Sequence, residues 1–194
     1  MKFSLSTLTL KTTTILALIG MFASCSNPPK PQDPFEISYK RIGHLTDSIR
    51  VFELDSIFKN DSIVKRVAGD EFINTNNEIE IYEKGGKQLL VLEAKEDFDT
   101  TATIESIRII DPRFKTVKGL TIKSSFKDVK ANYTISKISN TLSTALVFVD
   151  SLNIYFTIDK SFLPEEFRTD SSSKIETSQI PDNAKIKDFW IGWD

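Results

Sequence analysis

Ile79-Glu80-Ile81-Tyr82 and Leu89-Leu90-Val91-Leu92, set on either side of Lys84-Gly85-Gly86-Lys87, decide how this chain is read. Two strand-like runs around paired glycines signal a hairpin, because both turn residues can take positive φ. A second pair repeats the signal: Leu146-Val147-Phe148-Val149 and Ile154-Tyr155-Phe156-Thr157-Ile158 flank Asp150-Ser151-Leu152-Asn153. Strands joined by tight turns run antiparallel, which predicts an α+β class built on a mostly antiparallel sheet. Where apolar and polar residues alternate, one face packs and the other is solvated.

Working outward, a helix-like segment precedes each hairpin. Asp55-Ser56 is read as a cap for Ile57-Phe58-Lys59-Asn60, and Ser124-Ser125 as a cap for Phe126-Lys127-Asp128-Val129. Ser48 to Leu54 and Lys118 to Ile122 read as the strands before those two short helices. Ile104-Glu105-Ser106-Ile107-Arg108-Ile109 matches Ile186-Lys187-Asp188-Phe189-Trp190-Ile191, with a fainter version from Ile37 to Ile42. Similar elements at similar offsets predict two tandem ββαββ-like repeats, 37–103 and 104–194. The symmetry breaks at 161–184, a long segment whose Ser171-Ser172-Ser173 reads as a flexible surface loop.

The N-terminus carries a different message. Lys2 and Lys11 precede an apolar run, Ile15 to Ala23, about ten residues long. That suits a signal peptide and is short of the roughly 20 residues that span a bilayer. The run ends in Phe22-Ala23-Ser24-Cys25, which resembles the lipobox of bacterial lipoproteins, with Phe22 where leucine is commoner. The resemblance implies a signal peptide over 1–24, cleavage after Ser24 and acyl chains on Cys25, the only cysteine. Each buried CH₂ contributes about 0.8 kcal/mol, and two or more chains anchor stably. Pro28, Pro29, Pro31 and Pro34 make 25–36 an extended tether. Ser26 after the cysteine, with no acidic cluster following, points to the outer membrane facing the periplasm. Lipidation consumes the thiol, so the fold is expected to use no disulfide.

Two further stretches resemble an uncharacterised domain-of-unknown-function family of bacterial envelope lipoproteins. They are Ile107 to Lys127, through Asp111-Pro112-Arg113-Phe114-Lys115-Thr116 and Gly119-Leu120-Thr121-Ile122, and Ile180-Pro181-Asp182-Asn183-Ala184-Lys185-Ile186. That resemblance implies a fold of this kind and brings no activity to carry over.

Composition narrows the chemistry. After 1–24 are removed, 23 Lys and Arg stand against 27 Asp and Glu, without a basic stripe, which argues against nucleic acid as a partner. His44, the sole histidine, sits in a Gly43-His44 turn, and zinc sites need clusters of Cys and His. No G-x-S-x-G elbow and no phosphate-binding glycine loop occurs, so no cofactor is expected. The acidic groups Glu96-Asp97-Phe98-Asp99 and Glu165-Glu166 read as solvated loops. Arg113 and Lys115 are candidates to hold an anion near Gly119, and Trp190, matched to Arg108, is a candidate outward contact for a sugar or protein. Asp followed by Ser or Thr and a third apolar residue or Thr recurs five times, at Asp47, Asp55, Asp61, Asp99 and Asp150. The pattern resembles the acceptor for O-glycosylation in some bacteria and marks Ser48, Ser62, Thr100 and Ser151, with Ser56 disfavoured as a helix cap. It also suits turns. The expected role is a non-catalytic binding or assembly module, held to the membrane by acyl chains, with an envelope protein or polysaccharide as partner. The alternatives are a carboxylate-based hydrolase of cell-wall or glycan substrates, and a carrier of a lipid or apolar ligand.

Overall fold

The structure, a computed structural model, describes residues 32–65 and 78–193. The signal segment, Cys25 and the tether up to Pro31 lie outside the described residues. Twelve strands are present among those described. They are β1 (Glu36–Ser38), β2 (Arg41–Ile42), β3 (Leu45–Thr46), β4 (Ser62–Lys65), β5 (Glu78–Tyr82) and β6 (Gln88–Ala94), then β7 (Ile104–Ile109), β8 (Lys115–Thr116), β9 (Lys137–Asn140), β10 (Thr144–Val149), β11 (Ile154–Asp159) and β12 (Ile186–Gly192). Three short helices accompany them: α1 (Leu54–Ile57), α2 (Phe126–Asn132) and α3 (Glu165–Thr169).

The class is α+β, with mostly antiparallel sheet. Both glycine- and Asn-containing turns close hairpins where the sequence places them: β5 pairs with β6 and β10 with β11, antiparallel. Gly85 and Gly86 take φ of 120° and 90°, and Asn153 takes 51°, conformations that favour glycine and tolerate Asn. Eight strands form one sheet in the order β4-β5-β6-β7-β12-β11-β10-β9. Outward from the central β7–β12 pair the order is symmetric: β6 and β11, then β5 and β10, then β4 and β9. In the central pair Arg108 stands opposite Trp190, between Ile109 opposite Phe189 and Ile107 opposite Ile191.

A four-stranded sheet, β3-β2-β1-β8, packs with the helices on one face of the large sheet. One continuous core joins Ile37, Ile42 and Leu45 of the small sheet to Leu54 of α1, Phe126 and Val129 of α2, and Leu163 and Phe167 around α3. From the large sheet it takes the inward positions, such as Ile107, Val147, Phe156 and Phe189. Gly43 lets the N-terminal strand close on itself: a Cβ there would lie 2.1 Å from the Pro34 carbonyl oxygen, and its φ is +54°.

Several elements differ from the sequence expectation. Ser48 to Leu54 is not a strand; Val51–Glu53 is a 3-10 turn running into α1. Its backbone is recruited by the β6–β7 connection, with Val51 and Phe52 N–H groups donating to Ala102 and Thr100. Asp55-Ser56 lies inside α1 rather than capping it. Lys118 to Ile122 is likewise not a strand: β8 ends at Thr116, and Gly119 turns the chain at φ +84°. Ser125 does open α2, its N–H and hydroxyl donating to Asp128 Oδ2 at 2.8 and 2.7 Å. Ile37 to Ile42 is the β1–β2 hairpin rather than one strand.

The segment 161–184 is the largest correction. It holds α3, and it buries Leu163, Phe167, Ile175 and Ile180. Its serine run is tied down, since Ser172 and Ser173 donate to Asp170 while Asn140 donates to the Asp170 and Ser173 carbonyls. The tether also ends earlier than expected. The folded unit begins at Gln32, and Phe35 packs edge-on against Phe114 with ring centroids 5.1 Å apart.

Candidate functional site

The face of the large sheet turned away from the core carries a row of large side chains in cross-strand register. Lys137, Phe148, Tyr155, Trp190 and Arg108 stand directly opposite one another on β9, β10, β11, β12 and β7. Alternation puts them there, because their neighbours Val147, Val149, Ile154, Phe156, Phe189 and Ile191 fill the core. The Phe148 and Tyr155 rings have centroids 5.7 Å apart, and Tyr155 and Trp190 are stacked at 5.8 Å with planes only 4° from parallel. The Arg108 guanidinium lies 5.3 Å from the Trp190 centroid, and Lys137 Nζ 5.7 Å from that of Phe148. Two cations therefore cap the aromatic row, each against the negative face of a ring. The row continues through Val91 and Glu80, both buried.

Carboxylates flank the row. Glu78 and Glu93 stand opposite one another, and each is offset by a partner: Arg108 Nη2 lies 3.5 Å from Glu78, and Ser106 Oγ donates to Glu93 at 2.5 Å. Thr157 Oγ1 donates to Asp188 at 2.6 Å. Burial, with Glu93 and Asp188 nearby, pushes the Tyr155 phenol up, so it remains a donor. Arg108 Nε is buried and has no acceptor, which leaves an unpaired donor beside Trp190.

Trp190 was the one member of this row singled out from sequence, and the structure puts it opposite Arg108. Phe148, Tyr155 and Lys137 were missed. Each sits at an outward position of an alternating strand, but which strands are neighbours, and in what register, is not written in any one of them.

The other candidates lie elsewhere. Arg113 is not free to hold an anion. Its guanidinium bonds Glu83 through Nη1 and Nη2 at 2.9 and 3.0 Å and Asp111 through Nε and Nη2 at 3.0 and 2.8 Å, and it covers the Phe35 ring at 4.4 Å. Burial alone would push Asp111 up, but hydrogen bonds from Arg113 and Lys87 outweigh it and hold that carboxyl at about 2. Lys115 is exposed, with Nζ 3.8 Å from Asp33. The pair is therefore structural, clamping the chain entry to the β5–β6 turn. His44 is an exposed turn residue between β2 and β3. Ser48, Ser62, Thr100 and Ser151 are all exposed, and so is Ser56, whose hydroxyl caps nothing.

Glu96, Asp97 and Asp99 line a cavity of about 220 Å³ with Glu78, Val51 and Ile79. The Thr101 hydroxyl and N–H donate to Asp99 and hold its carboxyl below the usual carboxylate range, the opposite of what a general acid needs. Glu165 and Glu166 are exposed in the first turn of α3. Among the described residues no group of three His, Cys, Asp or Glu could hold a metal ion, and no helix is long and apolar enough to cross a membrane.

No family model matches the chain, and no curated protein matches it. Among solved structures it is similar to the uncharacterized protein yfeY from Escherichia coli, at 14% identity and a TM-score of 0.49, over 81% of this chain and 97% of that one.

Proposed function

We propose that the protein is an envelope lipoprotein, anchored through acyl chains on Cys25, whose domain is a non-catalytic module that binds another envelope protein. The observation that carries the reading is the row Phe148, Tyr155, Trp190 and Arg108 on the sheet face turned from the core. Trp, Tyr and Arg are the residue types that dominate protein–protein binding energy. Here they are prealigned by backbone register, so little side-chain freedom is lost on binding. A polysaccharide partner is less well served, because the indole of Trp190 already has Tyr155 stacked on it and the Arg108 guanidinium close to its ring. The symmetric strand order supports a further part of the reading, that the sheet was made by joining two similar units, but as β4 to β7 and β9 to β12, each after a short helix, so that Ile104–Ile109 closes the first unit instead of opening the second.

The test is affinity capture of the lipidated protein from crosslinked envelopes, comparing wild type with Trp190→Ala. The reading expects a specific protein captured by wild type and lost at least tenfold with the variant, the variant's thermal unfolding remaining cooperative. Equal capture by a folded Trp190→Ala would remove the row from function.

A further inference from the structure

The two ends of the large sheet are chemically different, and the chain enters at one of them. The β5–β6 turn, the end of β7, the start of β12, the end of β11 and the β9–β10 turn share one end. Phe35 is clamped there, through Arg113, to Glu83 beside the β5–β6 turn. Gln32 is three residues earlier, and Cys25 a further seven. Seven residues reach at most about 25 Å, so a lipid on Cys25 limits the chain entry at this end to about that distance from the bilayer.

The same end carries the most exposed large hydrophobic side chain among the described residues. Leu142, 87% exposed, tops the β9–β10 turn. The residues around it, Ser139-Asn140-Thr141 and Ser143-Thr144, are uncharged. Phe162, 36% exposed, follows Lys160, whose N–H meets the Ser143 carbonyl at 3.5 Å. Lys84 of the β5–β6 turn adds an exposed cation at this end, whereas Lys87 and Lys115 are paired with Asp111 and Asp33.

We infer that this end of the sheet docks on the lipid bilayer, with Leu142 and Phe162 entering the headgroup region and Lys84 meeting lipid phosphates. The inference rests on the anchoring of Cys25. One leucine and one phenylalanine bind a membrane weakly on their own, but a short tether raises their effective concentration at the surface, so they fix the domain's orientation. Tilted onto this end, the domain would hold the sheet upright and leave the aromatic row facing sideways, open to a neighbouring protein.

The experiment uses the full lipidated protein in vesicles of phosphatidylethanolamine and phosphatidylglycerol. Leu142→Cys and, at the opposite end of the sheet, Ser151→Cys each carry an environment-sensitive fluorophore, the Cys25 thiol being consumed by its thioether. Acylation of Cys25 is read separately by mass. The label at 142 is expected to shift to the blue and be quenched by brominated acyl chains, while the label at 151 is quenched by aqueous iodide. Equal iodide access at both positions with Cys25 acylated overturns the docking and leaves the anchor standing. A Cys25 without acyl chains overturns both.

Discussion

Asp111 shows how much one residue can organise. It is 1% exposed, yet charged, because Arg113 and Lys87 surround it. Removing the guanidinium leaves the buried carboxylate with Lys87 as its remaining cation, so Arg113→Ala should cost about 2–3 kcal/mol in urea unfolding. That is less than for breaking a fully buried pair, because Lys87 remains and the guanidinium is partly solvated. The carboxyl lies at about 2 in the folded chain against an ordinary 3.8. Its contribution is therefore complete above roughly pH 4 and is lost as pH falls from there toward about 2, and Asp111→Asn should flatten that part of the stability profile. The sequence marked Arg113 as basic and near a turn but hid its partners: Asp111 is two residues away and Glu83 is thirty. Trp190 was legible because strand alternation sets its direction; what stands beside it depends on register. The five Asp-Ser/Thr positions are a different case. All five acceptor hydroxyl residues are exposed, so the glycosylation proposal has the access it requires, Ser56 included. Intact mass of the protein from its native host should exceed that of the acylated polypeptide; equality would leave these residues as turn chemistry.

At the scale of elements, hairpins were readable and the links between them were not. Paired glycines and alternating apolar residues fix β5–β6 and β10–β11 locally. Ser48 to Leu54 has strand composition, but its backbone N–H groups are taken by the β6–β7 connection, and a 3-10 turn results. The segment 161–184 misled because it lacks periodicity. Its four large buried residues, Leu163, Phe167, Ile175 and Ile180, are spaced irregularly and pack against a surface that only the folded sheet provides. Phe167→Ala should therefore cost about 3–4 kcal/mol, as for a core aromatic. Phe98→Ala should cost little by comparison, because that ring is 75% exposed. Equal effects in chemical denaturation would mean that 161–184 does not belong to the core.

At the scale of the whole molecule, two halves share one sheet and one core, so they should not unfold separately. A chain beginning at Gln32 is expected to show a single thermal transition, with calorimetric and van't Hoff enthalpies in agreement, under reducing conditions. Two transitions would mean that the β7–β12 seam is not an integral part of the core. The sheet's outer face depends on that seam, because the row crosses it: Trp190 comes from β12 on one side and Arg108 from β7 on the other. No reading of either half alone assembles it. The most direct test of its role is photocrosslinking in living envelopes from a photoreactive residue at Leu146, which lies on the same face two residues from Phe148. A control residue at Lys123, on the loop before α2, completes the comparison. A discrete protein adduct from 146, absent from 123 and abolished by Trp190→Ala, is the predicted result. No adduct from 146, or the same adducts from both positions, would contradict the assignment of this face as the binding surface.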